Sequence, residues 1–308
     1  MDIRKYELLL KIKELGSLTG AANVMHYTQP GVSYTLNEIE REWDTVLFSR
    51  GKNGVVLTKE GTHLMPFIRD VCEANKRLVD ELAALRGIER GSVSIGTFTS
   101  ISVHILPSIL KQYQTEHPNV EIKLLHGNYN EIEEWIREGI VDIGFLEHPT
   151  GTNVQTIPFG QDRLVAILPV GHELSSYERF PTISLIDQPY IGAECGVDNE
   201  IAEVFQKNGM PLNVKLTVKD DFETLAMVES GLGISILPEL LLYRTHFQIV
   251  ARELDYPLTR KICVAFQGLD TLSHAAKQFL QTIFSSHWDW EGQAPFTRVE
   301  HVRQKINF

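Results

Sequence analysis

The chain has 308 residues, a formal net charge of −11, 43% hydrophobic residues and three cysteines. A chain this long accommodates two or three domains. The longest apolar runs, such as Leu164–Pro169, are far too short for a membrane-spanning helix. The acidic balance excludes a globally basic nucleic-acid binder, but not one basic face on a small module.

The first residues, Met-Asp-Ile-Arg-Lys-Tyr-Glu, carry charges where a signal peptide would need an apolar run, so a cytoplasmic protein is expected. Cys72, Cys195 and Cys263 are odd in number and widely spaced, which suggests neither a disulfide framework nor a cysteine-rich zinc site. The histidines show no metal-ligand spacing, and no cofactor or metal is expected.

Residues 2–48 read as three short helices. Ile3, Tyr6 and Leu10 share one face of the first, with Leu9 beside them. Gly16-Ser17 ends it, and Ser17 can cap a second helix carrying Leu18, Ala21, Ala22 and Met25. After a turn at His26-Tyr27, Thr28 is a cap for the third, where Pro30 is tolerated in the first turn. Val32, Leu36 and Ile39 form the buried stripe of that helix and leave Gln29, Ser33, Tyr34 and Asn37 exposed. Two helices, a tight turn and an exposed polar face make a helix-turn-helix arrangement.

Leu47–Arg50 and Val55–Thr58 then flank Gly51-Lys52-Asn53-Gly54, and Asn-Gly between β-prone runs predicts a hairpin. Such a wing places Arg50 and Lys52 where phosphates would be met. Residues 1–60 contain eight basic and eight acidic side chains, so bulk charge does not mark this module.

Residues 59–88 read as one long helix. Leu64, Ile68, Val71, Asn75, Leu78, Leu82 and Leu85 follow a 4-3-4-3-4-3 spacing, a heptad seam with one polar residue. The seam predicts dimerisation, with Asn75 fixing register; the alternative is packing against the chain's own domains.

Beyond a hinge at Gly87 and Gly91 the pattern becomes alternating β and α. Strands are expected at Ser92–Thr99, Val120–His126, Val141–Leu146, Leu164–Leu168, Val214–Val218 and Ile262–Phe266. Helices are expected at Ser102–Glu116, Tyr129–Glu138, Asn199–Lys207, Phe222–Ser230 and Ser273–Ser285. The alternation implies a parallel sheet covered by helices. The tail from Trp290 is polar and carries little pattern.

The chain resembles the LysR-type transcriptional regulators over nearly its whole length. The resemblance rests on Gly16–Ala22, Thr28–Ser33, Leu36, Ile39, Glu40, Leu47–Arg50 and Leu57–Gly61, then on Gly139–Gly144 and Val228–Pro238. It implies an α/β multidomain protein: an N-terminal winged helix-turn-helix (residues 1–58), a dimerising linker helix (59–88) and a two-lobed effector domain (91–290) resembling periplasmic binding proteins, followed by a tail (291–308). Lobe one is expected at 91–161 and 267–290, lobe two at 162–266. It further implies a DNA-binding transcription regulator, not an enzyme, working as a dimer or tetramer and sensing a small metabolite, commonly anionic, with carboxylates among the candidates. Where many members have Arg after the recognition-helix Ser, this chain has Tyr34, which cannot read guanine bidentately, so the operator preference of relatives does not carry over.

Thr28, Gln29, Pro30, Ser33, Tyr34, Asn37, Arg50 and Lys52 are thus the expected DNA-binding residues, Gln29 being suited to bidentate bonding with adenine. For the effector, the stretch around Thr97, Thr99, Ser100 and Ile101 follows a strand and opens a helix, whose free N–H groups favour anions; ordinary capping is the alternative. Asn128 and the Glu194-Cys195-Gly196 segment occupy comparable strand ends, and Glu194 would disfavour a strongly anionic ligand. Two other readings leave features unexplained. A solute-binding module accounts for residues 91–290 only, and an enzyme lacks any catalytic constellation, Cys195 having no assignable base.

Overall fold

The computed structural model describes residues 2–51, 54–85, 91–147, 154–193, 201, 205–206, 209, 211–286 and 296–298. The chain divides into two compact units, Met1–Arg90 and Gly91–Phe308.

In the first unit, α1 (Ile3–Leu15) ends at Gly16, whose left-handed conformation (φ +58°) lets its N–H bond to the Ile12 carbonyl at 2.9 Å. Ser17 caps α2 (Leu18–Met25) by accepting from the Gly20 N–H at 3.1 Å, and Thr28 caps α3 (Gln29–Glu42) by accepting from Gly31 at 3.2 Å. Val32, Leu36 and Ile39 are buried as the stripe predicts. In α1 the fully buried side chains are Leu8, Leu9 and Ile12, whereas Ile3, Tyr6 and Leu10 are only half-buried. This helix packs against α2 and α3 on one side and α4 on another, so its apolar positions form two stripes and the expected one is the lesser.

The wing is β1 (Phe48–Gly51) paired antiparallel with β2 (Gly54–Leu57), Phe48 opposite Leu57 and Gly51 opposite Gly54. Lys52 and Asn53 lie outside the described residues. Glu40 anchors the entry to the wing by accepting from the Leu47 and Phe48 N–H groups at 2.7 and 3.0 Å.

Helix α4 (Lys59–Ala84) begins against this hairpin, so closely that a Cβ on Gly61 would stand 2.1 Å from the Leu47 carbonyl oxygen. The seam divides along its length. Leu64 and Ile68 pack into the winged core, whereas Val71, Leu78, Leu82 and Leu85 are exposed and Asn75 is half-buried.

In the second unit, β3 (Gly91–Thr97) runs parallel to β4 (Val120–His126) and β5 (Ile143–Glu147). The expected helix 102–116 is two helices, α5 (Thr99–His104) and α6 (Leu106–Glu116), so Thr99 starts a helix instead of ending a strand. Pro107 explains the break, since its ring clashes with the carbonyl four residues earlier and it has no N–H to bond there. Helix α7 (Tyr129–Arg137) covers this sheet, as does α10 (His274–Ser285) at the end of the unit.

The sheet is mixed, not parallel. Two long strands, β6 (Gln155–Pro169) and β10 (Ile249–Phe266), pair antiparallel along their length, and the full order is β4-β3-β5-β10-β6-β11 with β9 (Ser235–Pro238) also on β6. The first part of β6 and the last part of β10 belong to lobe one, where Cys263, Val264 and Phe266 join its core beside β5. The remaining parts build lobe two. The return crossing therefore lies inside β10, and the expected lobe boundary after residue 266 is corrected to an earlier point in that strand. One strand serves two sheets, with a bulge between Glu253 and Leu258 that spans Pro257.

Lobe two buries both faces of β6: Leu164, Ala166 and Leu168 face one apolar cluster, Val165 and Ile167 the other. That is why 164–168 reads as an uninterrupted apolar run. Helix α8 (Asp221–Glu229) packs on the second face, next to the parallel pair β7 (Tyr190–Ala193) and β8 (Val214–Val218); α9 (Glu239–Leu242) follows β9.

The tail also differs from expectation. Strand β11 (Phe296–Arg298) pairs with Gly160–Asp162 of β6, and Phe296 is buried against the position where Gly160 has no side chain. An isolated three-residue strand with one apolar residue carries no periodicity to read.

Candidate DNA-binding face and interlobe cleft

Helix α3 presents Gln29, Pro30, Tyr34 and Asn37 to solvent, with Thr28 exposed at its cap and Ser33 half-buried. Tyr34 is 69% exposed, a high value for an aromatic side chain with no internal task. The wing reaches this face: Arg50 Nη2 donates to Ser33 Oγ at 2.8 Å. Helix and hairpin thus place a guanidinium beside the four polar side chains. On the opposite side, Lys5 of α1 pairs with Glu38 of α3 at 2.6 Å.

A separate feature of this unit is an apolar groove of about 560 Å³ along α4, lined by Tyr6, Trp43, Thr45, Leu64, Phe67, Ile68 and Val71. It continues into the exposed part of the heptad seam through Val71.

In the second unit the polar centre is where the long strands cross between the lobes. Arg260 of β10 sits directly opposite Asp162 of β6. Its guanidinium bonds bidentately to the carboxylate, Nε to Oδ1 at 2.9 Å and Nη2 to Oδ2 at 2.7 Å. The same group donates to Tyr129 Oη at 3.0 Å and Ser100 Oγ at 2.9 Å, and lies 5.1 Å from the Phe98 ring centroid. Both members of the ion pair are buried, at 3% and 0% side-chain exposure. Burial penalises the Arg260 charge, but Asp162 and Tyr129 outweigh that penalty and hold its pKa above the ordinary value. Burial likewise pushes the Tyr129 hydroxyl up, against the opposing pull of Arg260.

Lobe two contributes Asp221, the first residue of α8, which is hydrogen-bonded to the Thr99 hydroxyl at the start of α5. Thr99 Oγ1 is also 3.2 Å from His126 Nε2 at the end of β4. The arrangement offers hydroxyl and imidazole donors and one guanidinium to a carboxylate, and one such carboxylate is already present.

Among the expected effector residues, Thr99 and Ser100 belong to this cluster. Thr97 and Ile101 are buried beneath it. Asn128 caps α7 in a reciprocal box with Glu131, accepting from its N–H at 3.0 Å while Glu131 accepts from the Asn128 N–H at 2.9 Å. Glu194, Cys195 and Gly196 lie outside the described residues. Sequence reasoning missed Asp162, Arg260, Tyr129, His126 and Asp221.

The described thiols are poor nucleophiles at neutral pH: burial, with the nearby carboxylates Glu7 and Glu73, pushes Cys72 up to about 11, and burial above all pushes Cys263 to about 12. Among the described residues, no helix is long and apolar enough to cross a membrane.

A winged helix-turn-helix, a long helix with an exposed apolar seam and a two-lobed α/β domain with a polar cleft define a one-chain transcription regulator. Residues 3–62 match the pattern described as the bacterial regulatory helix-turn-helix protein, lysR family, and residues 86–286 match the LysR substrate binding domain. The chain belongs to the LysR family of DNA-binding transcription regulators. It is 31% identical over 284 residues to the uncharacterized HTH-type transcriptional regulator YvbU of Bacillus subtilis (strain 168), covering 91% of this chain and 97% of that protein. In fold it is similar to CbnR, a LysR family regulator solved in complex with its target DNA (TM-score 0.66, 20% identity, 92% of this chain and 99% of that one). It is also similar to full-length OxyR from Pseudomonas aeruginosa (TM-score 0.71, 19% identity, 92% and 93%).

Proposed function

We propose that α3 enters the major groove of an operator, with Gln29, Ser33, Tyr34 and Asn37 facing base edges and phosphates, Thr28 and Pro30 at the groove-entering end of the helix, and Arg50 and Lys52 of the wing on the backbone. The observation that carries this reading is the Arg50–Ser33 bond, which joins the wing to the exposed face of α3 in one surface. CbnR, of the same fold, is known in complex with its target DNA, which supports the assignment. Phosphate contacts set register and affinity, while the groove contacts carry sequence.

The test is a mobility-shift assay on the chain's own upstream region across a salt series. A complex that weakens with salt is expected, and Arg50→Ala should flatten the slope of log affinity against log salt by about one unit. No complex at low salt would refute the reading, and an unchanged slope would remove Arg50 from it.

The exposed half of the seam, Val71, Leu78, Leu82 and Leu85 around Asn75, pairs with the same helix of a second chain in this reading, and two such dimers can form a tetramer. Exposed apolar stripes of this kind mark interaction sites, and Leu64 and Ile68 at its start are shared with the winged core. Leu78→Lys is expected to move the sedimentation coefficient from that of a dimer or larger assembly to that of a monomer at micromolar concentration. A wild-type chain that already sediments as a monomer would overturn the dimer.

The cleft between the lobes takes a small metabolite. Its binding changes lobe closure, which shifts the paired winged units and hence DNA spacing or bend. Regulation proceeds without catalytic turnover, in the cytoplasm where the operator lies.

A further inference from the structure

We propose that Asp221 is an internal ligand of the interlobe cleft: a carboxylate supplied by lobe two that occupies, on Thr99, the place a small-molecule carboxylate would take, and that holds the lobes together until it is displaced. The inference rests on reading the second unit as an effector domain and adds a built-in competitor to it.

Four observations lead there. First, the contact joins the lobes, with Thr99 on α5 of lobe one and Asp221 on α8 of lobe two. Second, Asp221 has no capping duty. Asp220 caps α8, accepting from the Phe222 N–H at 2.7 Å and forming a reciprocal box with Glu223, so the Asp221 side chain is available to reach across. Third, the donors around the cleft are engaged by the protein's own groups. The Thr99 hydroxyl carries one proton, given to Asp221, and its oxygen faces His126 at 3.2 Å. Arg260 is bidentate to Asp162 and bonded to Ser100 and Tyr129, yet near enough for its charge to favour the Asp221 carboxylate. An incoming carboxylate gains Thr99 and His126 only by taking them from Asp221.

Fourth, the latch is electrically costly. Burial raises the Asp221 pKa, and the Asp220 charge adds to this; Arg260, Thr99 and His126 work in the other direction without cancelling it. These are the charged and titratable groups facing Asp221 from β10, α5, β4 and its own helix. A carboxyl whose pKa is higher in the closed form than in the solvated open form binds its proton more tightly when closed. Closure is therefore favoured as pH falls toward the raised value and weakens as pH rises through it. An ionised latch that opposes its own burial is one a better-placed ligand can displace.

The experiment measures the distance between the lobes in the full chain without DNA or effector. Spin labels are placed at exposed Lys123→Cys on β4 and Lys215→Cys on β8, with Cys72, Cys195 and Cys263 replaced by alanine and labelled chains diluted with unlabelled ones. Distances are read by double electron–electron resonance. Asp221→Ala and Thr99→Val remove the contact from opposite sides, and both are expected to broaden the distribution and shift it to longer distances. The parent's long-distance fraction should grow as pH rises from about 5 to 8, and Asp221→Ala should abolish that trend. The proposal is overturned if either variant keeps the parent's distances or if the trend persists in Asp221→Ala. Since no DNA is present, failure here leaves the operator reading untouched, and a failed mobility shift leaves the latch untouched.

Discussion

Replacing Arg260 with methionine is expected to destabilise the effector domain by about 3–5 kcal/mol, the usual cost of breaking a buried pair from one side. The substitution removes the guanidinium but leaves Asp162 at 0% exposure with no cation to face it. Ser100 and Tyr129 lose their donor at the same time. For a unit of this size the loss corresponds to a fall in melting temperature of very roughly 6–20 °C, measured by calorimetry on the full chain. The double variant Arg260→Met with Asp162→Leu should regain much of it, because the expense lies in the orphaned charge and not in the absence of the pair. A single variant that melts with the parent, or a double variant no better than the single, would show that the pair carries no such strain.

Gln29→Ala is expected to weaken specific DNA binding by about 1–3 kcal/mol, roughly a 5- to 150-fold loss of affinity, and to relax the preference at one position of the site. The side chain is exposed at the first position of α3 and makes no contact that holds the fold. The melting temperature should therefore stay put while quantitative footprinting reports the loss. Unchanged affinity and unchanged base preference would remove Gln29 from the recognition set. Thr28→Ala provides a contrast, since it removes the cap that accepts from Gly31 and would act through helix stability as well.

The winged module was legible because its determinants are local. Ser17 and Thr28 cap helices that start at the next residue, and Val32, Leu36 and Ile39 repeat at helical spacing. The wing was announced by a turn between β-prone runs. The second unit was legible only in outline. Alternation of strand and helix suggested a parallel sheet, but β6 and β10 are antiparallel strands shared by two lobes. Their polar middle portions, through Arg252, Asp255 and Pro257, hide their length. Thr99 and Ser100 were reached through the family resemblance. Arg260, Asp162 and Asp221 were not, because Arg260 and Asp162 read singly as charges on strands, Asp221 reads as an ordinary acidic first turn, and only the crossing of the strands and the approach of the lobes brings them together. The heptad seam was visible, but not its division into a buried start and an exposed remainder, which depends on where the winged core ends.

The last strand bears on how the protein can be cut. The family pattern stops at residue 286, yet β11 lies beyond it, with Phe296 tilted against Phe159 at 5.5 Å and Arg298 donating to the Ile283 and Ser286 carbonyls at the end of α10. A ligand-binding fragment trimmed to the pattern would uncover an aromatic cluster and open the edge of β6, inviting strand-to-strand aggregation. Fragments meant for crystallography or calorimetry therefore need to extend past Arg298.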